Sequence, residues 1–185
     1  MNEILVITGL PRSGTSLMMQ IVDKSPISVF VDGKREKDEN NPEGYFEFEG
    51  VKGIVQDNSF LQDAVGKAIK IVAPLPIYMN PDLKYRVIFM RRDMDEILRS
   101  QEKMLQKDQV SEREKFRTIY DFHLKKTYRF LKENEIPFID IHYNALIANP
   151  EDELLRLKQF CSFETPIEEL VAVVRPELYR NRNEK

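Results

Sequence analysis

The chain has 185 residues, 42% of them hydrophobic, with 28 Lys and Arg against 31 Asp and Glu. A net charge of −3 gives no support to a general nucleic-acid binder and confines any anion site to a local cluster. The single cysteine, Cys161, excludes an intrachain disulfide framework and a cysteine-rich zinc centre, and fits a reducing compartment and a small core position. The length suits one domain, 1–185, whose charge-dense tail 180–185 is expected to fray. No apolar run approaches the roughly 20 residues of a membrane span, and Met1-Asn2-Glu3 lacks the basic start of a secretion signal. A cytoplasmic protein is expected.

Ile4-Leu5-Val6-Ile7 is an unbroken apolar run that suits a strand buried on both faces, as in parallel sheets under helical cover. Gly9 and Gly14 bracket a turn, and Thr15 and Ser16 open a helix whose apolar residues Leu17, Met18, Ile21 and Val22 recur at helical spacing. The unpaired N–H groups of such a helix start, with its dipole, make a site for phosphate or sulfate. From Gly9 to Ser16 the spacing is that of a P-loop, G-x-x-x-x-G-K-[ST], with Thr15 in the lysine's place and the cation moved into the loop as Arg12. A P-loop NTPase needs that lysine on its phosphates and an acidic strand end for Mg²⁺, and neither is evident. A glycine turn that binds nothing is the plainer alternative, disfavoured because strand, loop and helix start agree.

After Ser25-Pro26, Val29-Phe30-Val31 offers a short second strand. The polar stretch from Asp32 to Tyr45 is either a solvated connection or a functional loop. Glu49 to Val65 reads as helix, weakly patterned, and Lys67 to Ala73 as an inner strand closed by Pro74 and Pro76. Tyr85 to Met90 is another strand, and Arg91-Arg92-Asp93 leads into a helix from about Met94 to Lys107 with Asp93 as its cap. The longest helix, Ser111 to Glu135, carries Phe116, Ile119, Tyr120, His123, Leu124, Thr127, Tyr128 and Leu131 on one stripe, which makes His123 a core histidine rather than a catalyst. Phe138 to His142 is a fourth inner strand; Pro150 starts a helix reaching Cys161, and Pro166 a last short one.

Strands separated by helices imply parallel pairing through right-handed crossovers, hence a three-layer α/β/α fold with a mostly parallel central sheet. Ligands gather at the carboxyl ends of such strands, which selects the loop after Thr8, Asp32, the region after Lys70, Arg92 and Tyr143. Alternation sends His142 to the face opposite Tyr143.

Arg92 lies just past a strand and Ser100 two helical turns along, on about the same face. An arginine fork and a hydroxyl converging there could hold a second phosphate. The alternative is Arg92 paired with a nearby carboxylate and Ser100 merely exposed. Pro11 to Ser16 after a strand resembles the 5′-phosphosulfate loop of sulfotransferases that use 3′-phosphoadenosine 5′-phosphosulfate (PAPS), and Val87 to Ser100 resembles their 3′-phosphate segment, in which an Arg and a Ser at this spacing grip the phosphate. Arg91 competes for that role, but the spacing favours Arg92. Ile141 to Pro150 looks like the family's strand-end segment x-h-Tyr-Glu-Asp-Leu-x-x-x-Pro, whose tyrosine lies near the adenine; Tyr143 matches, while Asn144 and Ala145 replace the acidic pair. Asn41 to Glu47 and Met94 to Leu105 look most like bacterial members.

The resemblance implies a P-loop-like sulfotransferase fold, PAPS as sulfuryl donor, no metal, and nucleotide contacts from Arg12, Ser13, Gly14, Thr15, Ser16, Arg92, Ser100 and Tyr143. Lys70 to Leu75 fits a Lys-Thr-His-Leu-Pro-Leu segment whose histidine is the base in the cytosolic animal branch; here that place is Val72. Arg12 and Lys70 remain as catalytic cations, aimed at the charge that builds on the leaving phosphate oxygen. For the base the expectation is Asp32, with Glu36 as understudy, because some branches use a carboxylate shortly after the second strand. Its pKa would need to rise through partial burial, which Lys34 and Arg35 oppose, and an aspartate capping its own loop is the alternative. The chain is short for the family and lacks its Arg-Lys-Gly-containing carboxyl-terminal loop, for whose cation Arg180 and Arg182 are the candidates, with a solvated tail as the alternative. The expected reaction moves a sulfuryl group from PAPS to an acceptor hydroxyl or amine, the acceptor leaning towards a polar small molecule or sugar. The rivals are a P-loop nucleotide or nucleoside kinase and an inactive PAPS-binding protein.

Overall fold

Mostly apolar stretches build the sheet: β1 (Ile4–Gly9), β2 (Ala68–Lys70), β3 (Tyr85–Arg91) and β4 (Phe138–His142), with Arg86 and Asp140 as charged residues inside β3 and β4. All pairings are parallel, in the order β2-β1-β3-β4. This computed structural model describes residues 2–34, 44–105 and 112–175. Every residue of β1 is buried because its side chains, alternating up and down, meet helical cover on both sides. Leu5 and Ile7, with Ile88, Met90 and Ile141, pack against α1 (Thr15–Asp23), α4 (Tyr143–Ala148), α5 (Pro150–Cys161) and α6 (Ile167–Val171). On the opposite face Ile4, Val6, Ile69, Val87 and Phe89 meet Leu131 of α3 (Arg113–Glu133) and the 3-10 turns Glu49–Gly53 and Ser59–Gln62. The result is the expected three-layer α/β/α arrangement. At the carboxyl ends of the strands, Ile97 and Leu98 of α2 (Met94–Leu105) join Leu10, Ala73 and Tyr120 in a third cluster.

Several elements differ from expectation for local reasons. The second strand shrinks to an edge bridge between Val29 and Ala68, with Phe30 N–H donating to the Ala68 carbonyl at 2.7 Å. The stretch 49–65 holds two 3-10 turns in place of a helix; Gly50 and Gly53 raise the cost of a longer run. β2 is three residues long, yet Ile71 and Ala73 still donate to the Ile7 and Gly9 carbonyls at 3.0 Å each, so the pairing with β1 outlasts the strand. α4, unforeseen, starts directly from β4. α5 has the expected bounds, and the Asp93 carboxylate caps α2 by accepting Glu96 N–H at 3.1 Å. In α3, Tyr120, Thr127 and Leu131 are buried and Ile119 is exposed, while His123 is half-buried and pushed below the usual imidazole range by that burial. Cys161 is a core residue, its thiol pushed up to about 12 by burial. The expected helix end at Lys107, the start at Ser111, Glu36, and the tail with Arg180 and Arg182 lie outside the described residues. Among the described residues no helix is long and apolar enough to cross a membrane.

Candidate active site

Parallel pairing brings the ends of all four strands to one edge, and the first loop opens there. At Gly9 φ is 145°, and a Cβ would lie 2.4 Å from Ser13 Oγ and 2.5 Å from the Met90 carbonyl oxygen. At Gly14 φ is 101°, and a Cβ would lie 2.4 Å from Cδ2 of Tyr143. Both positions admit glycine alone without strain. Between them Arg12 takes a left-handed φ of 68°, and Ser13 N–H donates to the Leu10 carbonyl at 3.1 Å, closing the turn. Gly14 caps α1 with no side chain to give, so no side-chain cap takes the N–H groups of the first turn. Ser13 is 1% exposed, yet its Oγ, like Thr8 Oγ1, has no hydrogen-bond partner among the described residues. A buried hydroxyl left so costs about 1–3 kcal/mol, which an anion seated in the loop would relieve for Ser13.

The second segment is joined to the first. Arg12 Nε donates to Ser100 Oγ at 3.0 Å, and Arg92 Nη1 donates to the Arg12 carbonyl at 3.1 Å. Arg92 also pairs through Nε with Glu96 Oε2 at 2.9 Å, one helical turn on, and its guanidinium lies 4.5 Å from the centre of the Tyr143 ring. Glu96 is 1% exposed, and its other oxygen accepts from Asn144 Nδ2 at 3.2 Å. An acidic residue at 144 would face that buried carboxylate with like charge, so the amide at this position is chemically coherent. Tyr143, 9% exposed, packs between Gly14 and Arg92. Arg91 turns to the other face, donating to Tyr128 Oη at 3.0 Å, which leaves Arg92 as the arginine at the loop. His142 is exposed, as alternation requires.

Lys70, at the end of β2, is buried with its ammonium at the start of α1. Its Nζ donates to Ser16 Oγ at 3.4 Å, to the Tyr45 carbonyl and to Glu47 Oε1 at 3.1 Å. The Lys70 side chain is 3% exposed and that of Glu47 25%, so the cation is fixed inside and its carboxylate partner faces outward.

No protein-family model and no curated protein matches this chain. Among solved structures, a sulfotransferase from Mycobacterium avium superposes with a TM-score of 0.51 at 13% identity, over 100% of this chain and 70% of that one. The fold is P-loop-like, of the sulfotransferase kind. An unliganded sugar kinase from Janibacter also aligns, with a TM-score of 0.42 at 9% identity, over 95% of this chain and 99% of that one.

On this fold Asp32 has a different setting from the one a base requires. Its two oxygens accept the backbone N–H groups of Glu49 at 2.7 Å and Lys34 at 3.1 Å. The Glu49 N–H, before all other causes, holds its carboxyl below the usual carboxylate range, the reverse of the rise expected for a base working near neutral pH. Asp32 thereby ties residues 47–49 to the loop after Val31, and its own N–H donates to the Glu47 carbonyl at 3.3 Å. Three participants have no role assigned from the sequence. Glu96 had a signal, its position four residues after Arg92, where charge pairs form on a helix. Asn144 and Glu47 meet their partners across 48 and 23 residues, which no local pattern records. Among the described residues no group of three His, Cys, Asp or Glu side chains is placed to hold a metal ion.

Proposed function

We propose that the protein is a sulfotransferase that moves a sulfuryl group from PAPS to an acceptor hydroxyl or amine. The observation that carries this reading is the junction of the two segments: the glycine loop, whose Ser13 hydroxyl has no partner among the described residues, is tied through Arg12 to Ser100 and Arg92. A donor bearing phosphates at its 5′ and 3′ ends would fit such a pair, and the loop has the donor set an anion needs. When bound, PAPS supplies an activated sulfuryl group on a phosphate leaving group. The N–H groups of Gly14 to Ser16, the Ser13 hydroxyl and the Arg12 guanidinium bind and orient the 5′ end, and the buried Lys70 ammonium stabilises negative charge developing at the start of α1. Arg92 and Ser100 hold the 3′-phosphate, with Tyr143 packed behind them. Thr15, where a kinase would have lysine, favours this over ATP-dependent phosphoryl transfer.

The test is ligand-dependent melting. Adenosine 3′,5′-bisphosphate without metal, at a hundred times its dissociation constant, should add about 2.7 kcal/mol of stability and raise the melting temperature. A shift with ATP and Mg²⁺ alone would establish the kinase instead. Arg92→Ala and Ser100→Ala should each weaken 3′-phosphorylated nucleotides, by roughly ten- to a hundredfold for Arg92, while sparing nucleotides without that phosphate. Titrations giving the wild-type ratio between the two ligand classes would remove the 3′ assignment.

A further inference from the structure

The Glu47 carboxylate stands between two compartments. On one side it meets Lys70 Nζ at 3.1 Å, and through it the start of α1. On the other it lines a hollow of about 220 Å³ together with Asp32, Lys34, Glu49 and Lys52. The rim of that hollow is built rather than accidental: Asp32 binds the N–H groups of Glu49 and Lys34, and Lys34 Nζ pairs with Glu49 Oε2 at 2.7 Å.

We propose that this hollow receives the acceptor and that Glu47, not Asp32, takes the acceptor's proton, a proposal that rests on the sulfotransferase reading. The hollow is smaller than the roughly 300 Å³ at which ligand pockets begin, so it takes the reacting end of an acceptor rather than the whole of a large one. The five residues that line it are all charged, which favours a hydrophilic group, a hydroxyl or amine on a polyol, sugar or amino compound, over a hydrophobic phenol. Asp32 is then a positioning residue: with both oxygens committed to backbone N–H groups, it holds residues 47–49 so that Glu47 reaches Lys70.

Lys70 makes the two halves of the site interdependent. When an anion occupies the start of α1, the ammonium shares its charge with that anion, and Glu47 is released towards the hollow. The acceptor's O–H (or N–H) then gives its proton to Glu47 Oε while its oxygen (or nitrogen) forms the bond to sulfur. The bond between sulfur and the 5′-phosphate oxygen breaks with its electron pair leaving on that oxygen, where Lys70 and Arg12 meet the charge.

The experiment joins a binding measurement to a rate. Adenosine 3′,5′-bisphosphate is titrated into wild type, Glu47→Gln and Glu47→Asp, and PAPS with water as acceptor is followed as bisphosphate and sulfate formed. Glu47→Gln removes the carboxylate that competes for a buried ammonium, so the bisphosphate should bind at least as tightly, on the order of tenfold tighter. Hydrolysis should fall roughly 10²–10⁴-fold, the usual loss for a general base. Glu47→Asp should keep wild-type affinity and an intermediate rate. Weakened binding in Glu47→Gln, or hydrolysis within about threefold of wild type, overturns the proposal. If Glu47→Gln does not fold, an undiminished rate in Glu47→Asp overturns it instead. A wild type that binds the bisphosphate but does not consume PAPS also refutes Glu47 as a base while leaving the nucleotide site standing. A wild type that binds no bisphosphate removes the sulfotransferase reading itself.

Discussion

Gly9→Ala should abolish adenosine bisphosphate binding and unfold the protein at a markedly lower temperature. The added methyl would meet Ser13 Oγ at 2.4 Å and the Met90 carbonyl oxygen at 2.5 Å, at a φ of 145° that side chains resist. The serine can rotate, but the carbonyl belongs to β3, paired with β1 at Gly9 itself, and cannot retreat without breaking the sheet register. Overpacking of this kind costs about 1–3 kcal/mol and an unfavourable backbone region about 1–2 more, so roughly 3 kcal/mol is expected. For a chain of this length that lowers the melting temperature by about 6–12 °C. The same displacement pushes Ser13 out of the loop, which removes the anion site. Calorimetry with and without the bisphosphate checks both effects, and a variant that melts and binds like wild type would show that the loop is not held as described.

Lys70→Met should leave a folded protein with little function. Methionine follows the lysine stem, so the packing of β2 against α1 survives, while the charge that meets Ser16, the Tyr45 carbonyl and Glu47 is gone. Losing a charged donor should weaken the bisphosphate by roughly ten- to a hundredfold. Removing fixed charge from the developing oxyanion should cost on the order of 10²–10³ in PAPS turnover. Stability should move less than either, because the Glu47 side chain is 25% exposed and can turn to water once its partner has gone. Affinity and turnover close to wild type would confine Lys70 to a structural role.

The parts of the fold legible in the sequence are those whose signals are local. Proline at the start of α5, an aspartate before α2 and the unbroken apolar run of β1 each state their structure within a few residues. The glycines at 9 and 14 likewise marked a loop whose geometry needs them. Elements decided by tertiary contact were harder to read. Residues 49–65 carry enough apolar side chains for a helix, but glycines at 50 and 53 leave short turns, held by burial of Val51, Ile54 and Leu61 beneath the sheet. α4 has six residues and no side-chain cap, and forms because Leu146 and Ile147 are buried in the core. The same division runs through the site. The loop was visible because its residues are consecutive; the setting of Asp32 was not, since it depends on Glu49 N–H, 17 residues away. Glu47 sits inside a longer motif, and its importance rests on a lysine brought to it by the sheet.

The bond from Arg12 to Ser100 spans 88 residues, and the Arg92 bond to the Arg12 carbonyl spans 80. Two stretches far apart in the gene therefore write one surface. A replacement in the first loop changes which replacements α2 will tolerate, and the reverse holds as well, so neither stretch is free to drift by itself. Related chains that carry another residue at position 12 should carry a compensating change near position 100, and a graft of the loop into a foreign scaffold would have to bring α2 with it.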